Sequence, residues 1–129
     1  MKNQIDKKIA EDFLAAYAAH DFQRIALLLH NDIEWNLPGN GPISGTAVGI
    51  DAVIRRVKTI IASGIKTELH HILIGQHGIT LSLHNTASKP DGRQLDEELA
   101  TVLAVDAGLI KRIDTYLSDV PIMERFFNA

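Results

Sequence analysis

Trp35-Asn36-Leu37-Pro38-Gly39 is followed, after a short loop, by Gly45-Thr46-Ala47-Val48-Gly49-Ile50-Asp51-Ala52-Val53. The first stretch closes an alternating run. Ile33, Trp35 and Leu37 interleave with Glu34 and Asn36, which is the two-residue period of a strand with one buried face, and Pro38-Gly39 ends it. The second stretch leads into a helix over residues 51–62. Val53, Ile54, Val57, Ile60 and Ile61 form its buried stripe, and Gly64 stands where a C-terminal glycine belongs. Gly45 and Gly49 read as tight-turn residues on the way into that helix, with the Pro42 segment rimming whatever lies beneath.

Working outward, apolar residues recur at helical spacing over residues 5–19, with Ile5, Ile9, Phe13, Ala16 and Tyr17 on one stripe. Asp21 can cap a short second helix over residues 22–30, whose Ile25, Leu28 and Leu29 point to one side, and the two helices are expected to pack as a hairpin. Downstream, turn signals at Gly75-Gln76-His77-Gly78, Lys89-Pro90-Asp91-Gly92 and Ala107-Gly108 separate runs that start near Lys66, Ile79, Gln94 and Leu109. These runs predict an antiparallel meander of four long strands. Met123, Phe126 and Phe127 form a C-terminal apolar segment able to close one end. Helices first and strands after them predict an α+β architecture, with the helices covering one face of a curved sheet. At 129 residues and 46% apolar content, with no linker or repeat, the chain is expected to form a single domain over 1–129.

Composition removes several classes of function. The net charge of −3 is scattered and no basic stripe exists, so no nucleic-acid partner is expected. No apolar run approaches the length of a bilayer span, and Met1-Lys2-Asn3-Gln4-Ile5-Asp6 lacks the features of a secretion signal, so a soluble, cytoplasmic protein is expected. Without cysteine there are no disulfides and no thiolate chemistry. Gly39-Asn40-Gly41 lacks the Gly-Lys-Ser/Thr of a phosphate loop, and no cofactor is expected. Six histidines raise the question of a metal. Adjacent His70 and His71 should point to opposite faces of a strand, and no His-x-x-x-His helical pair exists, so no metal centre is expected. His70 opposite His84 reads instead as a surface pair at a dimer contact.

With its parts in this order, the chain resembles the SnoaL-like branch of the nuclear transport factor two superfamily from about Lys8 to Phe127. The likeness is carried by His20-Asp21 at the end of the first helix, the strand with Trp35 and Pro38-Gly39, the Gly45-to-Gly49 approach to the third helix, and Gly108-Leu109-Ile110. The resemblance implies a cone-shaped curved antiparallel sheet around one deep pocket. It implies a small lipophilic or aromatic ligand, proton-transfer chemistry of the isomerase, dehydratase or cyclase kind, and a homodimer through the outer sheet face. Carried over residue by residue, the steroid-isomerase pattern places Phe13 at its tyrosine, Leu37 at its base and Thr101 at its acid. The polyketide-cyclase pattern places Thr115 at its aspartate and Thr101 at its histidine. A phenyl ring cannot donate a hydrogen bond, and leucine and threonine cannot exchange protons near neutral pH, so neither of those mechanisms carries over. Asp114 is one residue from Thr115 and should face away from the pocket.

What remains is read from strand register. If the first hairpin turns around His77, Leu69, His71 and Leu73 share a face with Leu81 and Leu83, and the Asp91-Gly92 turn brings Glu97, Leu99 and Thr101 to that side. His71 and Glu97 are then the candidate acid/base pair. The expected pocket wall is Phe13, Tyr17, Trp35, Leu37, Val57, Leu99, Thr101, Thr115, Leu117, Met123 and Phe126. The competing readings place Glu97 in the solvated run Asp96-Glu97-Glu98, make His71 a hydrogen-bonded sheet residue, and make the whole protein a non-catalytic ligand-binding or interaction module.

Overall fold

The computed structural model describes residues 2–128. Helices α1 (Lys2–Ala18) and α2 (Phe22–Leu27) form the expected hairpin. Strands β1 (Leu29–Leu37) and β2 (Gly45–Val48), helix α3 (Ile50–Ala62), strands β3 (Lys66–Ile74), β4 (Ile79–Ser88), β5 (Gln94–Asp106) and β6 (Leu109–Leu117), and helix α4 (Val120–Phe127) follow. Asp21 caps α2 as its position predicts, its carboxylate accepting from the Arg24 N–H at 3.1 Å. The expected helix over residues 22–30 is shorter, because Leu29 and His30 already belong to β1. Two further elements were not foreseen. The Gly45–Val48 segment, expected to be a turn, pairs antiparallel with β1, and the C-terminal apolar segment is a helix, capped by Asp119 onto the Ile122 N–H at 3.1 Å.

The six strands form one sheet in the order β2-β1-β6-β5-β4-β3. The meander β3 to β6 is antiparallel as expected, while β1 lies parallel to β6, placing Trp35 opposite Ile113. The sheet is therefore mixed, an α+β cone whose inner face is covered by helices. Ile9, Ala10, Phe13 and Ala16 of α1 and Val53, Val57 and Ile60 of α3 are buried in that core. Gly78 explains how tightly the β3–β4 turn sits against the sheet. A Cβ there would lie 2.5 Å from the Leu103 carbonyl oxygen, too close for any side chain.

Inner-face residues stack in rows across the strands. Ile113, Leu103 and Ile79 form the deepest row and are at most 1% exposed. Above it lie Thr115, Thr101 and Leu81, then Leu117, Leu99 and Leu83, and then Glu97 and Asn85 with Thr67 on β3. Successive rows are two residues apart, or about 7 Å along a strand.

Candidate functional site

The rows enclose a cavity of about 80 Å³. Its wall is mainly aliphatic and aromatic: Phe13, Leu14 and Tyr17 from α1, Trp35 and Leu37 from β1, Ile43, Ile60, Ile65, the sheet leucines, Ile113, Met123 and Phe127. From strands β3 to β6 polar side chains line it at two depths, the threonine pair of the second row and the Glu97 row.

Trp35 is fixed on two sides. Its Nε1–H donates to the Thr115 hydroxyl at 3.0 Å, which in turn lies 3.3 Å from the Thr101 hydroxyl. The Arg56 guanidinium sits 5.2 Å from the ring centroid and donates to the carbonyls of Trp35 (2.8 Å), Ser44 (3.2 Å) and Gly45 (3.1 Å). Arg56 thus ties α3 to β1, to the loop before β2 and to the first residue of β2. Its burial lowers the guanidinium pKa, without making that group neutral near pH 7. From sequence, Arg55-Arg56 is a short basic pair with no marked role. The signal that distinguishes its members is the helical stripe, which turns Arg56 inward beside Val53, Val57 and Ile60.

Glu97 supplies the carboxyl group of the cavity wall. It is 3% exposed, and its Oε2 is fully buried with no hydrogen-bond partner. Burial, reinforced by the nearby negative charge of Asp119, pushes its carboxyl pKa up to about 7. The flanking Asp96 and Glu98 point outward, so strand alternation rather than the local acidic composition decides where Glu97 goes. Tyr17 is the other titratable wall residue. Burial raises its phenol to about 12, so it stays neutral.

His71 is not part of the site. A bulge between Leu69 and His71 inserts a residue into β3, so that His71 lies opposite Ser82 and is exposed, while Ile72 turns inward opposite Leu81. The register expected from simple alternation, with His71 and Leu73 facing the core, is corrected by that bulge. His70 and His84 do meet on the outer face, with ring centroids 5.9 Å apart. Among the described residues no group of three or more His, Asp or Glu is arranged to hold a metal ion.

Phe13, Tyr17, Trp35, Leu37, Leu99, Thr101, Thr115, Leu117 and Met123 line the cavity where the sequence places them. Val57 and Phe126 do not. Both are fully buried behind the wall, and Phe127 takes the lining position one residue on from Phe126. Asp114 faces away as expected, accepting from Asn36 Nδ2 at 2.8 Å. Asn85 and Thr67 were missed. The signal for Asn85 was available, since Ile79, Leu81 and Leu83 put position 85 on the same inner face, directly opposite Glu97.

A family model described as SnoaL-like domain matches residues 10–113. An uncharacterised protein of Mycobacterium tuberculosis is 23% identical over 98% of this chain and 99% of its own length. Among solved structures, Bal32a from a soil-derived mobile gene cassette superposes with a TM-score of 0.91 at 20% identity, over 99% of this chain and all of its own. TerC, co-crystallised with polyporic acid, gives 0.81 at 14% identity over 96% and 99%. These likenesses, with others described as nuclear transport factor two-like, establish the cone fold.

Proposed function

The chain belongs to the SnoaL-like domain family, and from that premise we propose that it holds a small lipophilic molecule in the cone and moves a proton on it with Glu97. The observation that carries this reading is one carboxyl group with an unpartnered oxygen inside an otherwise apolar cavity. Burying a carboxyl without a hydrogen bond costs stability, and a group whose pKa lies near 7 can both take and return a proton at neutral pH. The volume of about 80 Å³ is roughly half that of a cavity that takes up benzene, so it suits about three or four heavy atoms as it stands, and a ring enters only as the wall side chains move. Isomerisation, dehydration and cyclisation all belong to this reading, as does pairing of two copies through the outer sheet face. TerC was co-crystallised with polyporic acid, which supports a small organic ligand by analogy of fold.

The test uses protein labelled with ¹³C at the glutamate carboxyl carbon. The expected result is one carboxyl titrating near pH 7, absent from Glu97→Gln, whose signal moves when small lipophilic fragments quench Trp35, the chain's single tryptophan. Titration of every carboxyl in the ordinary range would leave a non-catalytic module as the reading.

A further inference from the structure

Glu97 and Asp119 stand side by side in the upper row of the cone. The last ladder pair of β5 and β6 is Leu99 opposite Leu117. Two bonds carry that register one residue further, from the Ser118 N–H to the Glu98 carbonyl and from the Glu98 N–H to the Ser118 hydroxyl, both at 2.9 Å. The next residues along are Glu97 and Asp119, and the negative charge of Asp119 reaches the Glu97 carboxyl. Asp119 Oδ1 is taken by the Ile122 N–H at the start of α4, whereas Glu97 Oε2 has no donor. On the other flank Asn85 of β4 lies opposite Glu97, its Oδ1 accepting from the Thr67 hydroxyl of β3 at 2.6 Å. Helix α1 brings Tyr17, a neutral phenol, α3 brings Ile60, and α4 brings Met123 and Phe127. Among the described residues no Lys, Arg or His lines the cavity. The site thus borders on two carboxyl groups and on no positive charge, and its unpartnered buried oxygen is an acceptor.

We infer that the cone takes a short aliphatic amine in its ammonium form, with the N–H groups on the Glu97 carboxylate and the alkyl chain against the leucine row beneath it. The inference rests on the reading above that the cavity holds a small molecule, and it names the class of that molecule without calling on proton transfer. Three features select this class. The partner that Glu97 Oε2 lacks is a donor, and an ammonium offers three N–H donors together with the charge that the two neighbouring acids leave unmatched. A carboxylate buried without a counter-charge is costly, so a ligand that brings one recovers that cost, whereas an anionic ligand meets repulsion. The volume of about 80 Å³ holds about three or four heavy atoms, the size of ethylamine or propylamine. Position agrees with this chemistry. The Glu97 row is the one farthest from the aliphatic floor and ends at exposed Thr67, which marks the rim. Leu83, Leu99 and Leu117 form the next row down, so the charged head stays near solvent while the chain follows the leucines.

Propylamine and propan-1-ol have chains of the same length and differ by an ammonium against a hydroxyl. Binding of each to the intact protein at about pH 8, where the amine is charged, is measured by calorimetry, and the Glu97 carboxyl is followed by ¹³C NMR. The expected result is a preference for propylammonium on the order of tenfold, the size of one hydrogen bond to a charged group. It fades as pH falls through about 7, because a protonated Glu97 presents no charge to the ammonium. Glu97→Gln removes the preference. Asp119→Asn, which keeps a capping side chain on α4 without its charge, reduces it a few-fold. A measurement on the unsubstituted protein guards against misfolding of the variants. Saturating propylamine is expected to move the Glu97 titration to lower pH while the other glutamate signals stay in place, and propan-1-ol is expected not to move it. Equal binding of the two, a preference that survives Glu97→Gln in folded protein, or a Glu97 titration indifferent to propylamine each overturn the inference. Should Glu97 still titrate near pH 7 in any of these cases, the proton-transfer reading stands without the amine. Glu97 titrating in the ordinary carboxylate range, alongside an intact preference for propylammonium, is instead the failure of that earlier reading.

Discussion

Glu97 carries a pH dependence whose sign follows from its burial. Its carboxyl titrates near 7 in the folded protein against about 4.3 in an unfolded chain. Between those values the folded state binds more protons than the unfolded one, so stability is full below about pH 4.3, falls as pH rises to about 7, and levels off beyond it. The difference amounts to about 4 kcal/mol, or a fall of roughly ten to fifteen degrees in melting temperature for a chain of this size. Glu97→Gln keeps the shape without the charge. Melting scans from pH 4 to 8 are expected to show the variant drawing ahead of the unsubstituted protein as pH rises, and parallel curves would contradict this. Glu97 was legible in the sequence because its strand was legible: alternation from Leu99 and Thr101 puts it on the inner face despite acidic neighbours. His71 was read by the same rule and came out wrong. Nothing in Glu68-Leu69-His70-His71-Ile72 announces an inserted residue, because a bulge is fixed by how two strands meet and leaves the composition of either one unchanged.

Among the elements, α4 shows most clearly what tertiary contact adds to local sequence. It has only eight residues, too short to persist alone, and it closes the cone with Met123 and Phe127 against the cavity. Its first turn is capped by Asp119. Its last carbonyls are gathered by Arg93 from the β4–β5 turn, whose Nη1 donates to Arg125 O at 3.2 Å, to Phe126 O at 3.3 Å and to Asn128 O. A guanidinium there completes the orphan carbonyls and complements the negative end of the helix. Arg93→Ala is expected to speed amide hydrogen exchange across α4 by about tenfold while leaving the middle of β5 unchanged, and equal protection in both proteins would show the clasp to be inert. The sequence shows Met123, Phe126 and Phe127 as an apolar cluster, but the helix depends on a partner 32 residues away. The order and bounds of the meander were readable because glycine-containing turns mark each boundary. Strand β2 was not, because Gly45-Thr46-Ala47-Val48 is too short to show a period.

At the scale of the molecule, the sheet holds its polarity in layers over an aliphatic floor, with hydroxyls first, aliphatic side chains above them, and an acid and an amide above those. Such layering follows from register across four strands and belongs to no single segment, which is why the sequence shows a pocket more readily than its arrangement. Trp35 reports on the assembled whole, since its indole N–H is bonded to a residue 80 positions later. Refolding followed by its fluorescence is expected to coincide with amide protection of β6, in one phase, and an earlier fluorescence change would show that β1 is buried before its neighbour arrives. The parallel seam between β1 and β6 also orders events at the ribosome. Synthesis runs from N- to C-terminus, so β1 leaves the exit tunnel long before the strand that covers it, and the meander must be translated in between. During that interval Ile33, Trp35 and Leu37 present an uncovered apolar face, and the last strand of the sheet completes its cover.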